Sequence, residues 1–440
     1  MEDTNQRLFG TDGVRGVANS DLTVDLALNL ARAAGSTIAG HVVIGRDTRR
    51  SGPMLSSAVA AGFNSVGIDT VDLGIIPVGG VSRLARDTGA SLGVMVSASH
   101  NPAEDNGIKF FGKDGSKLSD DLEAAIEARY FSSELYSRPV GATVGIQTHM
   151  AGSVERYVDK ISQTVEYSMR GLEFVVDCAN GAAFSAAPVL FDKVGASVDI
   201  IADTPDGMNI NAGVGATHPE AVAAVANGRV AFAFDGDADR LIAVDENGEV
   251  CDGDVIMAIF AKWQQGRGKL KHDTVVATVM SNLGFHHAME RLGVKVVVTP
   301  VGDRYVVEAM RKTQAVVGGE QSGHILLEDR CTGDGLRTAL RLMEVMAATG
   351  QPLSELRKVM TELPQILLNV RVGSKDGWES DPDIAASVKT AERALGPRGR
   401  VLVRASGTEP LIRVMVEAPT AGEATTIAES IIDVVRDRLS

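Results

Sequence analysis

An α/β architecture is predicted by three observations. Short apolar runs of strand length alternate with segments of helical period, and this alternation starts afresh near Phe174 and again near Thr274. The composition agrees: 44% hydrophobic but only 4% aromatic, with 47 Gly and 14 Pro to make many short strand-to-helix turns. At 440 residues the chain is also too long for a single core, which implies several domains.

Taken in order, a helical pattern over Leu22–Ala39 precedes expected strands at His41–Gly45, Thr70–Ile76 and Ser91–Ser97. The second series has strands at Phe174–Cys178, Val198–Ile201 and Val230–Phe234. The third has Thr274–Met280, Lys295–Thr299 and Ala315–Val317, followed by a helix over Leu336–Ala348. Such alternation implies mixed or parallel sheets with helices on both faces. The last stretch differs. Ile366–Val372, Arg400–Arg404 and Leu411–Glu417 read as an antiparallel sheet, with the polar tract Gly373–Gly399 separating the first two strands. A final helix starts at Thr420, where Thr420 and Glu423 form a capping box ahead of Ile427, Ile431 and Val434. The expected domains are 1–155, 156–253 and 254–365, each α/β, and 366–440, a small α+β domain.

Charge and cysteine usage exclude some classes. A formal net charge of −14 argues against a general nucleic-acid or membrane-surface binder, because both partners are polyanionic. Cys178, Cys251 and Cys331 form no C-x-x-C pair, so neither a disulfide framework nor a zinc site is expected. No apolar run reaches membrane-spanning length and the N-terminus is polar, so a cytoplasmic protein is expected.

Ligands of α/β sheets bind beyond the carboxyl ends of strands, and five such junctions carry unusual polar content. In Ser97–Pro102, "SASHNP", Ser99 stands beside His100. A hydrolytic Ser–His couple is not expected, since neighbouring side chains of an extended segment point apart and no G-x-S-x-G elbow is present. A polar turn remains the competing account. Lys109 follows in "NGIKFF", between apolar neighbours. In "VAFAFDGDADR", Asp235, Asp237 and Asp239 end a buried strand ahead of Arg240. Three carboxylates at alternate positions repel one another unless a cation neutralises them. Their spacing resembles an EF-hand start, with Glu246 twelfth, but Arg240 stands where that loop needs glycine. Hard oxygen ligands with open positions suit Mg²⁺ and a phosphate.

The third junction, "VVGGEQSGHI", offers Glu320, Ser322 and His324 to a polyhydroxylated ligand, or is a glycine-rich hairpin. The fourth, "VRASGTEPLIR", brackets Ser406, Gly407 and Thr408 with Arg404 and Arg413, a pattern for cradling phosphate. The fifth, "LFGTDGVRG", holds Arg15 between glycines. "RDTRRS" (Arg46–Ser51) reads as a solvated basic loop, and His286-His287 receives no role. Together these features suggest phosphoryl transfer on a phosphosugar, with Ser99 accepting and donating the phosphate.

In order and content, "SASHNP", "DGDADR", "GEQSGH" and "RASGT" resemble the motifs of the α-D-phosphohexomutases, one per domain over essentially the whole chain. "LFGTDGVRG" and Gln321 in the third motif resemble the glucosamine-phosphate branch. The resemblance implies three related α/β domains and a fourth like the TATA-binding protein, around a central cleft. It implies a phosphoserine at Ser99 that completes the coordination of one Mg²⁺ by Asp235, Asp237 and Asp239. Arg15, Lys109 and Arg240 would surround the transferring group, with His100 shaping the loop. Lys109 and His324 are the candidates for proton transfer. Glu320, Ser322 and His324 would hold the sugar, Asp303 and Arg304 would help to select it, and Arg404, Ser406, Gly407, Thr408 and Arg413 would bind the non-reacting phosphate.

The activity so implied interconverts glucosamine 6-phosphate and glucosamine 1-phosphate, supplying amino-sugar nucleotide synthesis for the cell wall. A hexose 1,6-bisphosphate is the intermediate and an expected activator, and it or a kinase would prime Ser99. Glucose or mannose phosphates are the alternative substrates, and a catalytically silent phosphosugar-binding protein is the alternative class. No nucleic-acid or membrane partner is expected, and the chain is expected as a monomer or homodimer.

Overall fold

The structure, a computed structural model, describes residues 7–10, 12–329, 331–374, 377–405 and 411–439. They fall into two compact units, Met1–Met280 with Val294–Lys358, and Ser281–Gly293 with Val359–Ser440.

The first unit contains three sheets. The first has six strands in the order Val14–Val17, Asp105–Gly112, Leu92–Val96, His41–Arg46, Asp69–Ile75 and Gln147–His149. The second runs Val250–Cys251, Leu241–Val244, Val230–Phe234, Glu173–Asp177 and Ser197–Ile201. The third runs Lys295–Thr299, Thr274–Thr278, Gly318–Gly319 and Ile325–Leu326. Leu92–Val96, Val230–Phe234 and Thr274–Thr278 are buried at every position, as strands covered on both faces by helices must be.

One device recurs in all three sheets. A parallel strand ends in a loop that turns straight back as an antiparallel neighbour: Leu92–Val96 into Asp105–Gly112, Val230–Phe234 into Leu241–Val244, and Gly318–Gly319 into Ile325–Leu326. The polar motifs Ser97–Pro102, Asp235–Arg240 and Glu320–His324 occupy these three turns. The returning strands at Asp105–Gly112 and Leu241–Val244 were not anticipated, because polar residues interrupt their apolar pattern or they are too short to show one. The return at Ile325–Leu326 is instead the glycine-rich hairpin given above as the alternative at the third junction.

Other expectations need adjustment. The strand expected at Ala315–Val317 lies at Gly318–Gly319, where a side chain would collide with Met310 and Val276, so the glycines let the strand pack closely. The helix expected over Leu22–Ala39 is Val24–Gly35, because Thr23 caps it by accepting the Leu26 N–H at 3.1 Å. Helix Gly335–Thr349, capped by Asp334, matches its expected span closely.

The second unit is a three-stranded antiparallel sheet, Gln365–Arg371, Leu411–Glu417 and Arg400–Ala405, with the middle strand last in sequence. Helix Ala421–Leu439 packs on it through Ile431 and its neighbours, and Glu423 N–H donates to the capping Thr420 at 3.2 Å. The tract Gly373–Gly399 is more than a polar spacer. It contains the helix Pro382–Leu395, with Asp381 at its N-cap and Pro382 at its first turn. Helix Leu283–Leu292 joins this unit, its first N–H donating to Glu417 at 2.8 Å. Among the described residues, no helix is long and apolar enough to cross a membrane.

Candidate active site

Ser99 lies just beyond a fully buried strand and is itself 1% exposed. Its backbone is left-handed (φ 53°), a conformation unfavourable for any residue with a Cβ. The side-chain hydroxyl donates to Asp235 Oδ2 at 2.5 Å. The two loops meet closely enough that a Cβ on Gly236 would lie 2.4 Å from the Ser99 carbonyl oxygen. The left-handed turn also changes the reading of His100. The ring does not face away: its Nδ1 is 3.4 Å from Ser99 Oγ, since the segment is not extended there. Burial, together with Arg240 and Arg15, lowers the His100 pKa to about 4, so the neutral ring is a poor base.

The acidic turn has the chemistry of a cation site. Asp235, Asp237 and Asp239 are buried, and each offers an oxygen within 4.8 Å of the others. Asp237 Oδ1 and Asp239 Oδ1 are buried without a hydrogen-bond partner. Burial, then repulsion from Asp239 and Asp237, raises Asp235 to about 8. Orphaned carboxylate oxygens and a carboxylate that retains its proton are what a divalent cation would relieve, so these residues fit Mg²⁺. Glu246 takes no part: it accepts the Ser354 N–H at 3.3 Å.

Lys109 projects from the returning strand into this cluster and is only 2% exposed. Its ammonium lies 2.7 Å from Asp237, 2.9 Å from Asp12 and 3.8 Å from Asp239. Burial opposes its charge, but these carboxylates prevail and push its pKa up to about 12. A closed ring of alternating charges results. From Lys109 it passes to Asp239, then to His324 at 3.3 Å, Asp303 at 3.3 Å, Lys117 at 3.3 Å and Asp12 at 2.6 Å, and so returns to Lys109. Burial alone would keep His324 neutral, yet Asp239 and Asp303 hold its pKa well above the usual value. The Gly333 N–H, 3.1 Å from Nε2, competes with Asp303 for that nitrogen.

The third loop is stitched to the second. Arg240 and His324 form a β-bridge, and the Leu241 N–H donates to the Gly323 carbonyl at 3.0 Å. Gly323 (φ 90°) is required there, because a Cβ would lie 2.3 Å from the Leu241 carbonyl oxygen. Arg240 extends toward Asp235 and Asp239, 3.9 Å from each. Glu320 accepts the Gly302 N–H at 3.0 Å and the Ser322 hydroxyl at 3.4 Å, and both side chains remain partly exposed. Arg15 pairs with Asp12 and reaches Asn101 at 3.4 Å. Arg304 pairs instead with Glu123 at 3.0 Å.

In the second unit, Arg404 and Arg413 are register partners on adjacent antiparallel strands. Ser406, Gly407 and Thr408 lie outside the described residues. The sequence reading missed four contributors: Asp12, Lys117, Asp47 and Arg49. Asp12 joins Arg15, Lys109 and Lys117, and its carboxyl is held well below the usual range by those cations despite burial. Lys117 and Asp12 stood in plain view as charged residues near a glycine turn, with nothing in the pattern to distinguish them from surface. The largest error concerns Arg46–Ser51. Far from being solvated, Asp47 and Arg49 are buried, and Arg49 is fully enclosed against the Ser99 loop.

Comparison with known proteins matches the chain in four successive segments. Models of the phosphoglucomutase/phosphomannomutase α/β/α domains match residues 6–137 (domain I), 155–248 (domain II) and 252–363 (domain III), and the C-terminal domain model matches 367–434. A phosphoglucosamine mutase of Moorella thermoacetica is 53% identical over 431 residues, covering 96% of this chain and 97% of that protein. The Bacillus subtilis phosphoglucosamine mutase is 49% identical over 443 residues, covering 98% of this chain and 99% of that protein. A crystal structure of a phosphoglucomutase/phosphomannomutase family protein from Burkholderia thailandensis superposes with a TM-score of 0.81 at 25% identity, covering 98% of this chain and 97% of the other. The N-acetylphosphoglucosamine mutase of Aspergillus fumigatus shares the fold at a TM-score of 0.68 and 19% identity, over 98% of this chain and 96% of that one. With all four domain models matched along the chain, and near-full-length relatives at about half identity, this protein belongs to the phosphoglucomutase/phosphomannomutase family.

Proposed function

We propose that this chain is a phosphoglucosamine mutase, interconverting glucosamine 6-phosphate and glucosamine 1-phosphate. The observation that carries the chemistry is the Ser99 hydroxyl held 2.5 Å from Asp235 inside a buried three-carboxylate cluster, where a phosphate on Ser99 and a divalent cation would neutralise each other's surroundings. Support for the substrate comes from the relatives at 48–53% identity over nearly the whole chain.

Asp235, Asp237 and Asp239 would hold Mg²⁺, which when bound stabilises negative charge on the transferring phosphoryl oxygens. Phospho-Ser99 passes its phosphoryl group to the free sugar hydroxyl, whose proton leaves to a base, giving glucosamine 1,6-bisphosphate. In the second half the other phosphate returns to Ser99 and the proton returns to the sugar oxygen. Lys109, with its pKa pushed up to about 12, stays cationic and acts with Arg15 and Arg240 on the transferring phosphate. His324, between two carboxylates that hold its pKa well above the usual value, is poised as the acid that returns the proton in the second half, and it serves as the first-half base only from its deprotonated form. Glu320 and Ser322, still partly exposed, bind sugar hydroxyls, and Asp303 fixes His324. Arg404, Arg413 and the segment Ser406–Thr408 bind the phosphate that is not reacting. The domain limits 1–155, 156–253, 254–365 and 366–440 form part of this reading.

Side-by-side kcat/KM for glucosamine, glucose and mannose 6-phosphates tests the substrate. A clear preference for the amino sugar is expected, and a preference for glucose or mannose phosphate overturns it. Intact mass before and after phosphatase treatment tests the carrier: active protein should lose one phosphoryl group, mapped to Ser99.

A further inference from the structure

The mechanism above leaves unexplained why a buried ion pair stands directly behind the Ser99 loop. Arg49 is fully enclosed, and its Nε donates to Asp47 Oδ2 at 2.9 Å while its own N–H donates to Asp47 Oδ1 at 2.9 Å. Burying such a pair is costly unless every remaining donor is used. Here they are. Nη2 donates to the carbonyls of Ser99 at 3.0 Å and Asn101 at 2.8 Å, and Nη1 to those of Asp105 at 2.9 Å and Pro102. Asp47 reaches the other side of the same residue, the Ser99 N–H, indirectly. Its Oδ2 accepts the Ser97 hydroxyl at 2.7 Å, and Ser97 Oγ accepts the Ser99 N–H at 2.9 Å. Asn211, from the neighbouring sheet's loops, adds a second donor to the Ser99 carbonyl at 2.9 Å.

We propose that Asp47 and Arg49 act as one positioning unit, which grips both the N–H and the C=O of Ser99 and so holds its side chain in line for phosphoryl transfer. This inference rests on Ser99 being the phosphoryl carrier. The left-handed backbone at Ser99 is unfavourable for a residue with a Cβ and persists only where surroundings over-determine it. Arg49 supplies that over-determination through four carbonyl oxygens of one loop. A lysine cannot replace it, since one ammonium cannot span the fork. Neither residue touches substrate in this scheme: the unit acts through the loop that carries Ser99.

The test uses the full chain. Wild-type protein is first shown to carry phosphate at Ser99. If it does not, the carrier reading fails before any variant is made. Arg49→Ala and Arg49→Lys should then each lower kcat about a hundredfold, the loss expected when a reacting group shifts by about 1 Å. KM for the phosphosugar should stay within about threefold, because sugar and phosphate contacts are untouched. Ser97→Ala, a small change that tests the arm even if the arginine variants do not fold, should lower kcat by a smaller factor at the same KM. Combined with Arg49→Ala it should cost less than the product of the two, since both act on one residue. Unchanged kcat in a folded variant with phosphorylated wild type, or a loss expressed in KM, overturns the proposal.

Discussion

The charges around Ser99 and those on the C-terminal sheet are organised in opposite ways. Around Ser99, every cation has a carboxylate beside it: Lys109 has Asp237 and Asp12, Lys117 has Asp12 and Asp303, and Arg49 has Asp47. On the C-terminal sheet, Arg404 and Arg413 face each other across adjacent strands, and among the described residues no carboxylate pairs with either. Burial, then repulsion from Arg413, lowers the Arg404 pKa. On the proposed function, the first region suits charge that moves, because fixed partners would hold its groups before and after transfer. The second suits charge that stays. The expectation is that the first governs rate and the second affinity.

The sharpest way to break this division is at the carrier. Ser99→Ala leaves every pair in the ring intact yet should reduce turnover to below about one part in ten thousand, as losing a nucleophile does elsewhere. The variant should retain phosphosugar binding by calorimetry. Substantial residual turnover would remove Ser99 from the mechanism.

The next effect concerns the cation. Asp235 is raised to about 8 by burial and by its two neighbouring aspartates, so below that pH the metal-free protein holds a proton there. A metal needs the carboxylate, so Mg²⁺ binding should release up to one proton. Mg²⁺ affinity should therefore climb by up to about tenfold per pH unit from pH 6 and level off near pH 8. Titration of metal-stripped protein in buffers of different ionisation enthalpy reads the proton directly. An affinity flat over that range would show that Asp235 is already ionised.

What the sequence disclosed follows the same contrast. Asp235, Asp237 and Asp239 were legible because three acids ending an apolar strand defy ordinary burial. Glu320–His324 was legible as a polar turn, and it lies in a hairpin. Arg404 and Arg413 were legible as two arginines bracketing a Ser-Gly-Thr segment, and they are register partners on adjacent strands. Arg49 and Lys117 were not legible. Each looks like surface charge in sequence: only the approach of distant segments brings Asp12 and Asp303 against Lys117 and buries the local Asp47–Arg49 pair against the Ser99 loop. The His100 orientation failed for a local reason, because a left-handed serine cannot be read from a pattern that otherwise signals strand.

The smallest effect tests the C-terminal arginines, and it must differ in kind from the loss at Ser99. Arg413 Nε is buried without a hydrogen-bond partner, so a donor is already desolvated and oriented. Removing one charge-assisted hydrogen bond to phosphate costs about 1.5–3 kcal/mol, a ten- to hundredfold rise in KM. Arg404→Ala and Arg413→Ala should each show this rise with kcat little changed, since the phosphate they hold is the same in ground and transition states. Arg413→Lys should fall between, keeping the charge but losing the planar fork. Equal KM in wild type and both alanine variants would mean that these guanidiniums hold no phosphate. A loss confined to kcat would place them with Ser99 and dissolve the contrast between the two regions.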